Sequence, residues 1–343
     1  MRAIIVSLII LIALFQLGCD NLSHEKHLYY ESWLVFKDLT GKVLTYIEQD
    51  IQIDGVFLVG GTSGDEYVLM GRDRYNGYAG NKAISRMNID GSGYEQIVPD
   101  METISVISHD RNRFIAYNYG DLFLINIDGT DQILINDPSC NSSITAVFST
   151  DDTKIAYVEY SLQDSVYNHL IIYDITAGQR SFLCNILKAD MPYYYQSFAW
   201  LNNRIYYTLK TNVSWVDVQD STQGVLTDGD FRYLIGSEAC NKIILLKQLT
   251  NKYTLEYFDF ISNSLCTLDI GYVNDQYAIS DQGDNFIINR YPYDESDSYH
   301  YNESCIISLD DMSYYSISPT IYNPSFDVTG EKIFGRSRIE KYD

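Results

Sequence analysis

Histidines, carboxylates, serine nucleophiles and clustered tyrosines are the groups through which this sequence could do chemistry, and their spacing limits what that chemistry is. His109, His169 and His300 lie far apart in the chain. A metal site draws three or four donors to one point, so only convergence on a common axis would assemble these three. Solvated loop histidines are the simpler reading, and neither a metal site nor a cofactor is expected. Ser63, in Gly61-Thr62-Ser63-Gly64, misses the Gly-x-Ser-x-Gly spacing of a nucleophile elbow. No catalytic residue is assigned. Asn88-x-Asp90-x-Ser92-Gly93 begins like a calcium loop, but Pro99 stands where that loop needs a bidentate Glu. Asn126-Ile127-Asp128-Gly129 repeats the pattern, which marks a hairpin turn in both places. What remains is aromatic. Tyr193, Tyr194 and Tyr195 follow Pro192, and Tyr291, Tyr293, Tyr299 and Tyr301 alternate with Asp294, Glu295, Asp297 and Glu303. A tyrosine offers a stacking face with a polar tip, so these are the candidate binding residues.

The N-terminus carries an address rather than chemistry. Met1-Arg2 is followed by the apolar run Ala3 to Phe15 and then by Gln16-Leu17-Gly18-Cys19. A charged start, a short apolar stretch and a small residue before the cut define a secretory signal over residues 1–18. A membrane span would need about 20 apolar residues. Gly18-Cys19 resembles a bacterial lipobox, although Gln16 occupies the position where Leu is usual. The resemblance implies a lipid on Cys19, a tether over 19–27, a folded domain over 28–343, and a lipoprotein on the periplasmic or surface face of the bacterial cell envelope. Five further cysteines, at 140, 184, 240, 266 and 305, include no Cys-x-x-Cys. Cys240 and Cys266 are the first pair to test for a disulfide, with buried free thiols as the equal alternative.

The elements that must position these groups follow from composition and repetition. The chain has 343 residues, 14% aromatic with 31 Tyr, only 6 Pro, and a formal net charge of −22. That acidity excludes nucleic acid as a partner, because phosphate contacts need a basic face. Phe148 and Ile155 bracket Ser-Thr-Asp-Asp-Thr-Lys, an apolar anchor, a polar turn and an apolar strand. The design recurs as Ile107/Phe114, Phe198/Ile205, Ile279/Phe286 and Phe326/Ile333, with the anchors seven residues apart. Looser copies start at Val59 and Ile235, each with one extra residue before the second strand. The copies recur at about 44 residues, the length of a four-stranded propeller blade. Beyond the signal no window shows helical periodicity. An all-β chain is expected, a single closed β-propeller of seven four-stranded blades, or six if a loose copy fails. Residues 28–47 supply the strands missing after Phe326, so the two ends would share one blade and remove an open edge.

The Phe-Ser-x-Asp-x-x-Lys-Ile-Ala-Tyr strand pair with its Asn-Ile-Asp-Gly turns resembles the WD40-like repeat of TolB-type bacterial β-propellers, and is similar to DUF5050-type propeller domains. The resemblance implies a rigid ring that presents loops around a funnel. Because no motif converges titratable groups, the expected function is a non-catalytic, monomeric envelope lipoprotein that binds a protein or glycan at one face. The alternative is a propeller-type glycan lyase or hydrolase acting in the axial channel.

Overall fold

The structure is a computed structural model that describes residues 28–39, 42–47, 52–53, 56–60, 66–70, 73–74, 83–88, 92–101, 103–160, 164–191, 197–249, 252–280, 283–291, 303–317, 322–326 and 332–342. The signal segment 1–18 and the tether 19–27 lie outside the described residues. Among those described, a single 3₁₀ turn at Lys188–Asp190 is the only helical element, and the rest of the regular structure is strand.

The strands form successive antiparallel sheets. β1 (Leu28–Asp38) and β2 (Val43–Ile47) open the chain; the two-residue strands β3 (Gln52–Ile53) and β6 (Asp73–Arg74) pair with each other. A four-stranded sheet follows from β4 (Val56–Gly60), β5 (Glu66–Met70), β7 (Ala83–Asn88) and β8 (Glu95–Pro99). The next holds β9 (Thr103–Ile107), β10 (Arg113–Asn118), β11 (Asp121–Asn126) and β12 (Ile133–Leu134). Then come β13 (Asn141–Phe148), β14 (Lys154–Tyr160), β15 (Tyr167–Asp174) and β16 (Gln179–Leu187), and after them β17 (Phe198–Leu201), β18 (Arg204–Thr208), β19 (Asn212–Asp217) and β20 (Gln223–Asp228). A seven-stranded sheet runs from β21 (Phe231–Ser237) through β22 (Lys242–Leu249), β23 (Lys252–Asp259), β24 (Ser264–Ile279), β25 (Asn285–Tyr291) and β26 (Glu303–Ser308) to β27 (Tyr314–Ile317). The last sheet has the order β2-β1-β29-β28, with β28 at Tyr322–Phe326 and β29 at Lys332–Tyr342.

That last sheet joins the two ends of the chain. β1 pairs with β29 along its whole length, from Leu28↔Tyr342 to Asp38↔Lys332. β28 in turn contacts β24 on one side and β4 on the other. Val59 and Ile235, the anchors of the two loose copies, both lie in strands, β4 and β21. Val59 pairs with Tyr67 as the extra residue requires, whereas Ile235 pairs with Ile244, one place further than expected.

The core lies between sheets, and the period-2 geometry of the strand explains why the second strand of each copy reads as a continuous apolar run. In β14, Ile155 and Tyr157 pack toward β10 and β11, while Ala156 and Val158 pack toward β17, β18 and β19. β22 repeats this, with Ile243 and Leu245 on one face and Ile244 and Leu246 on the other. Both faces are dry, and each fully buried aliphatic side chain contributes about 1.5–3 kcal/mol.

Gly236 in β21 faces β17 at close range. A Cβ there would overlap Leu201 Cδ1 and lie 2.9 Å from Ala199 Cβ. Gly236→Ala should therefore destabilise by about 1–3 kcal/mol through overpacking, read as a lower urea midpoint at unchanged m-value. An unchanged midpoint would show that β17 and β21 separate freely.

Lys37 in β1 is fully buried, and desolvation lowers its pKa from 10.5 to about 8. Its unfolded pKa is the higher one, so the unfolded chain binds the extra proton between those values. Stability should rise as pH climbs from about 8 toward 10. Burial instead raises the tyrosines Tyr157 and Tyr207 above their usual 10, so stability should fall again beyond about pH 10. Urea midpoints between pH 7 and 11 would show the maximum, and Lys37→Met should flatten its rising limb.

Candidate functional site

The turns that follow the first strand of each copy set the local geometry. In three of them a serine hydroxyl closes the loop. Ser108 Oγ donates to Asp110 Oδ1 at 2.6 Å, and Ser149 Oγ donates to Asp151 Oδ1 at 2.7 Å. The backbone N–H groups of Arg113 and Lys154 then donate back to these two hydroxyl oxygens. Ser280 Oγ meets Asp284 Oδ1 in the same way at 2.7 Å. The expected anchors pair across the strands as Ile107↔Phe114, Phe148↔Ile155, Ile279↔Phe286 and Phe326↔Ile333.

The copy at Phe198 departs from this. Ile205 pairs with Trp200 rather than with Phe198, and Leu201 pairs with Arg204 across a two-residue turn. Asn202 and Asn203 occupy that turn with φ of 48° and 62°. Two successive left-handed residues are what a tight type I′ hairpin demands, and Asn tolerates them best after Gly. The β17–β18 loop is thus shorter than its neighbours, and a notch opens where a serine-closed loop would otherwise stand.

The notch is a cleft of about 530 Å³. Ser149, Thr150, Asp151, Thr153 and Lys154 of the β13–β14 turn form one wall, and Trp200, Asn202, Asn203, Val218 and Gln219 of the β17–β20 sheet form its floor. Glu238, from the β21–β22 turn, closes the far side. Ser149 Oγ, Thr153 Oγ1 and Thr153 N–H all donate to Asp151 Oδ1, and these bonds hold its pKa down at about 2. Asp151 is ionised at any ordinary pH. Glu238 is different. Its Oε2 is buried and accepts no hydrogen bond, although a buried carboxylate oxygen without a donor costs about 1–3 kcal/mol. Trp200 adds an apolar ring face, Asn202, Asn203 and Gln219 add amides, and Lys154 is the single cation of the lining.

A brace stands behind the wall. Asp152, between two residues of the cleft, turns its side chain away, and Oδ1 accepts from the His109 N–H at 3.0 Å and lies 2.8 Å from His109 Nδ1. Oδ2 accepts from the Asp110 N–H at 2.7 Å. On the opposite end of the same pair of sheets, Arg180 bridges Asp137 and the buried Glu159, and the Tyr157 hydroxyl donates to the Ile135 carbonyl at 2.6 Å. That network ties two sheets.

The residues singled out in the sequence are placed as follows. His109 belongs to the brace, and His169 Nδ1 meets Asn185 Oδ1 at 2.9 Å, one residue on from the buried Asn168. Tyr291 ends β25, at the end of the strand away from the serine-closed turns. Cys19, Tyr193, Tyr194, Tyr195, Tyr293, Tyr299, Tyr301 and His300 lie outside the described residues. Cys240 and Cys266 are free thiols, as are Cys140, Cys184 and Cys305. Cys240 meets the Gly283 carbonyl and Asp310, while Cys266 pairs across from Tyr257. The hairpin reading of Asn88 and Asn126 holds in their hydrogen bonds. Each side-chain amide donates to the hydroxyl four residues on, Ser92 or Thr130. Sequence reasoning missed Glu238, Trp200 and Asp151 as a group. The adjacent Asn202 and Asn203, a pair suited to a tight turn, were the available signal.

No protein-family pattern and no curated protein sequence matches the chain. Solved structures do. An oligogalacturonate lyase from Vibrio parahaemolyticus superposes with a TM-score of 0.61 at 11% identity, covering 91% of this chain and 96% of that one. An oligogalacturonate lyase in complex with manganese gives 0.58 at 9% identity, over 84% and 96%. A puromycin hydrolase mutant gives 0.57 at 10% identity, over 90% of this chain and 56% of that one. A Swd1 β-propeller domain and TolB proteins are also among the matches. The fold is a β-propeller. These neighbours overturn the expectation of a non-catalytic binding module and of no enzyme activity. That expectation treated the scaffold as one for recognition, and the scaffold is one that lyases and hydrolases use.

A manganese ion does not fit the residues described. No three His, Cys, Asp or Glu side chains among them come together to hold a metal. His109 is committed to Asp152 and His169 to Asn185.

Proposed function

We propose that this chain is a glycan-cleaving enzyme, and that it breaks glycosidic bonds in the cleft between the β13–β14, β17–β18 and β21–β22 turns, at one mouth of the axial channel. One observation carries the reading: a single cleft brings together the side chains of Asp151 and Glu238, the tryptophan Trp200 and three amides. A sugar ring brings to such a place an apolar face for Trp200 and hydroxyl donors for Glu238, Asn202, Asn203 and Gln219. Glu238 is then the proton-transferring group at the scissile oxygen.

The scaffold in this reading has seven blades. The seven-stranded sheet counts as two blades that share β24, whose residues 264–268 and Val273 pair with β23 and whose residues 272–279 pair with β25. The β1–β29 pairing closes the ring, with residues 28–343 as one domain. Cys19 carries the lipid that holds the enzyme, as a monomer, to the bacterial cell envelope, and palmitate labelling that disappears in Cys19→Ala tests this.

The activity is tested by incubating the purified protein with a panel of oligosaccharides and reading new reducing ends, together with the ultraviolet absorbance of an unsaturated product. New reducing ends are expected. Their absence across the panel, with no binding seen in tryptophan fluorescence, would overturn the proposal.

A further inference from the structure

We infer that the ring stands on the bilayer with its cleft facing away, a reading that rests on the lipid at Cys19 proposed above and not on the glycan chemistry. The strand that follows the tether carries it. β1 runs from Leu28, opposite Tyr342, to Asp38, opposite Lys332. The Asp38 end lies beside the β28–β29 turn, where Phe326 pairs with Ile333. That turn holds the place in its sheet that the β13–β14 turn of the cleft holds in its own. β28 packs between β24 and β4 as β13 packs between β9 and β17. Leu28 therefore enters the ring at the end away from the cleft.

Length decides between the two ways up. β1 has eleven residues, so its ends lie about 33 Å apart at about 3.3 Å per residue. Nine residues separate Cys19 from Leu28, and even fully extended they reach only about 30 Å. Seating the cleft mouth on the bilayer would need a taut tether along the whole height of the ring, and it would still fall short. The opposite end needs no extension.

The surface at that opposite end fits a membrane interface. Tyr119, in the β10–β11 turn, is 73% exposed. Val166 and Tyr167 lead into β15, and Leu187, paired with Tyr167, ends β16; all three are exposed. The Lys188 N–H donates to the Val166 carbonyl at 2.9 Å, which makes Val166, Tyr167 and Leu187 one patch. A tyrosine, with an apolar ring and a polar tip, suits headgroup level. The charges around the patch balance. Lys188 Nζ donates to the Asp164 carbonyl and the Lys210 N–H to the Asp190 carbonyl, which sets two cations beside two carboxylates. On a chain of −22, such a corner escapes the repulsion that anionic headgroups exert on acidic surface. Leu28, Tyr119 and Leu187 belong to three different sheets, so their common end is a face of the ring rather than a point on its rim. Ile261 and Leu265 are also exposed, but they form a single pair on one hairpin, at the end the tether does not reach. With this footing a polymer in the surrounding compartment meets the cleft without entering the gap between ring and bilayer.

The test uses the lipidated full chain in vesicles of phosphatidylethanolamine and phosphatidylglycerol. The photoreactive residue p-benzoylphenylalanine is placed singly at Tyr119, Leu187, Ile261 and Val225, the last being exposed on the outer strand β20. Lipid adducts are read by mass spectrometry after irradiation. Adducts at Tyr119 and Leu187 should exceed those at Ile261 and Val225 at least tenfold. Equal adducts at all four positions, or a maximum at Ile261 or Val225, would overturn the orientation and leave the anchor standing. Absence of palmitate from Cys19, with the parent protein missing from the membrane fraction, would overturn the anchor and this inference with it.

Discussion

Glu238→Gln should abolish bond cleavage, with kcat falling at least a hundredfold, while glycan affinity and folding stability stay within about twofold and 1 kcal/mol of the parent. The magnitude is that of a lost proton-transfer group, about 10²–10⁴. The amide has the shape of the carboxylate but carries no transferable proton. What makes the experiment decisive is the stability arm. A Glu kept for structure would have partners, and its replacement would lower the unfolding midpoint. Glu238 Oε2 has none among the described residues, so an uncharged amide should cost little at that oxygen. The turn holds its shape without that oxygen, because Asn241 N–H donates to the Glu238 carbonyl at 3.2 Å and Cys240 N–H to Ser237 Oγ at 3.2 Å. Initial rates on a cleaved oligosaccharide, paired with urea unfolding, give both readings. An unchanged kcat would remove Glu238 from the chemistry, and a midpoint shifted by several kcal/mol would return it to the scaffold.

The blade repeat was legible because it is local. An apolar anchor, a polar turn and a second anchor seven residues on lie within one hairpin, and strand periodicity writes both faces of β14 or β22 directly into the chain. The sharing of one sheet by the N- and C-terminal strands was legible too, since the final copy lacked strands that residues 28–47 could supply, and β1 does pair with β29. The cleft was hidden for the opposite reason. Trp200, Asp151 and Glu238 come from three different sheets, and the repeat says which sheets are neighbours but not which of their side chains meet. The Phe198 copy kept the seven-residue spacing by accident, and its true partners are Trp200 and Ile205. Asn202-Asn203 was the cue to a tighter turn. Read as an I′ hairpin, it would have placed Trp200 at the strand end and shortened that loop against its neighbours. The same non-locality misled the functional expectation. A search for motifs finds elbows and metal-ligand spacings, whereas a propeller assembles its chemistry from single residues on successive turns, each unremarked in its own repeat.

Asp152→Ala should be the most destabilising single change in these turns, by about 2–4 kcal/mol, and it should also weaken glycan binding without touching the glycan. Asp152 is 6% exposed in its side chain and sits between the cleft residues Asp151 and Thr153. Its two oxygens take the backbone N–H groups of His109 and Asp110 and the His109 ring nitrogen, all from the neighbouring sheet. Hydrogen bonds to a charged acceptor contribute about 1.5–3 kcal/mol each at best, and the partial exposure of His109 and Asp110 reduces what is lost. Alanine adds a second penalty, because Asp152 has φ of 53°, a conformation that Asp and Asn tolerate and Ala resists. Asp152→Asn separates the two effects. It keeps the backbone preference and one acceptor oxygen, so it should lose less than half as much. His109→Ala, which removes one partner and leaves both N–H donors in place, should cost less than 1 kcal/mol. The functional consequence follows from position. Without the brace the β13–β14 turn is no longer held to its neighbour, and the wall that carries Asp151 loses its registry with Trp200 and Glu238. KM should rise severalfold in Asp152→Ala while kcat falls less. An unchanged KM in a protein destabilised by 3 kcal/mol would show that the brace serves the fold alone, and that the cleft is held from its floor, by the Asn202-Asn203 turn.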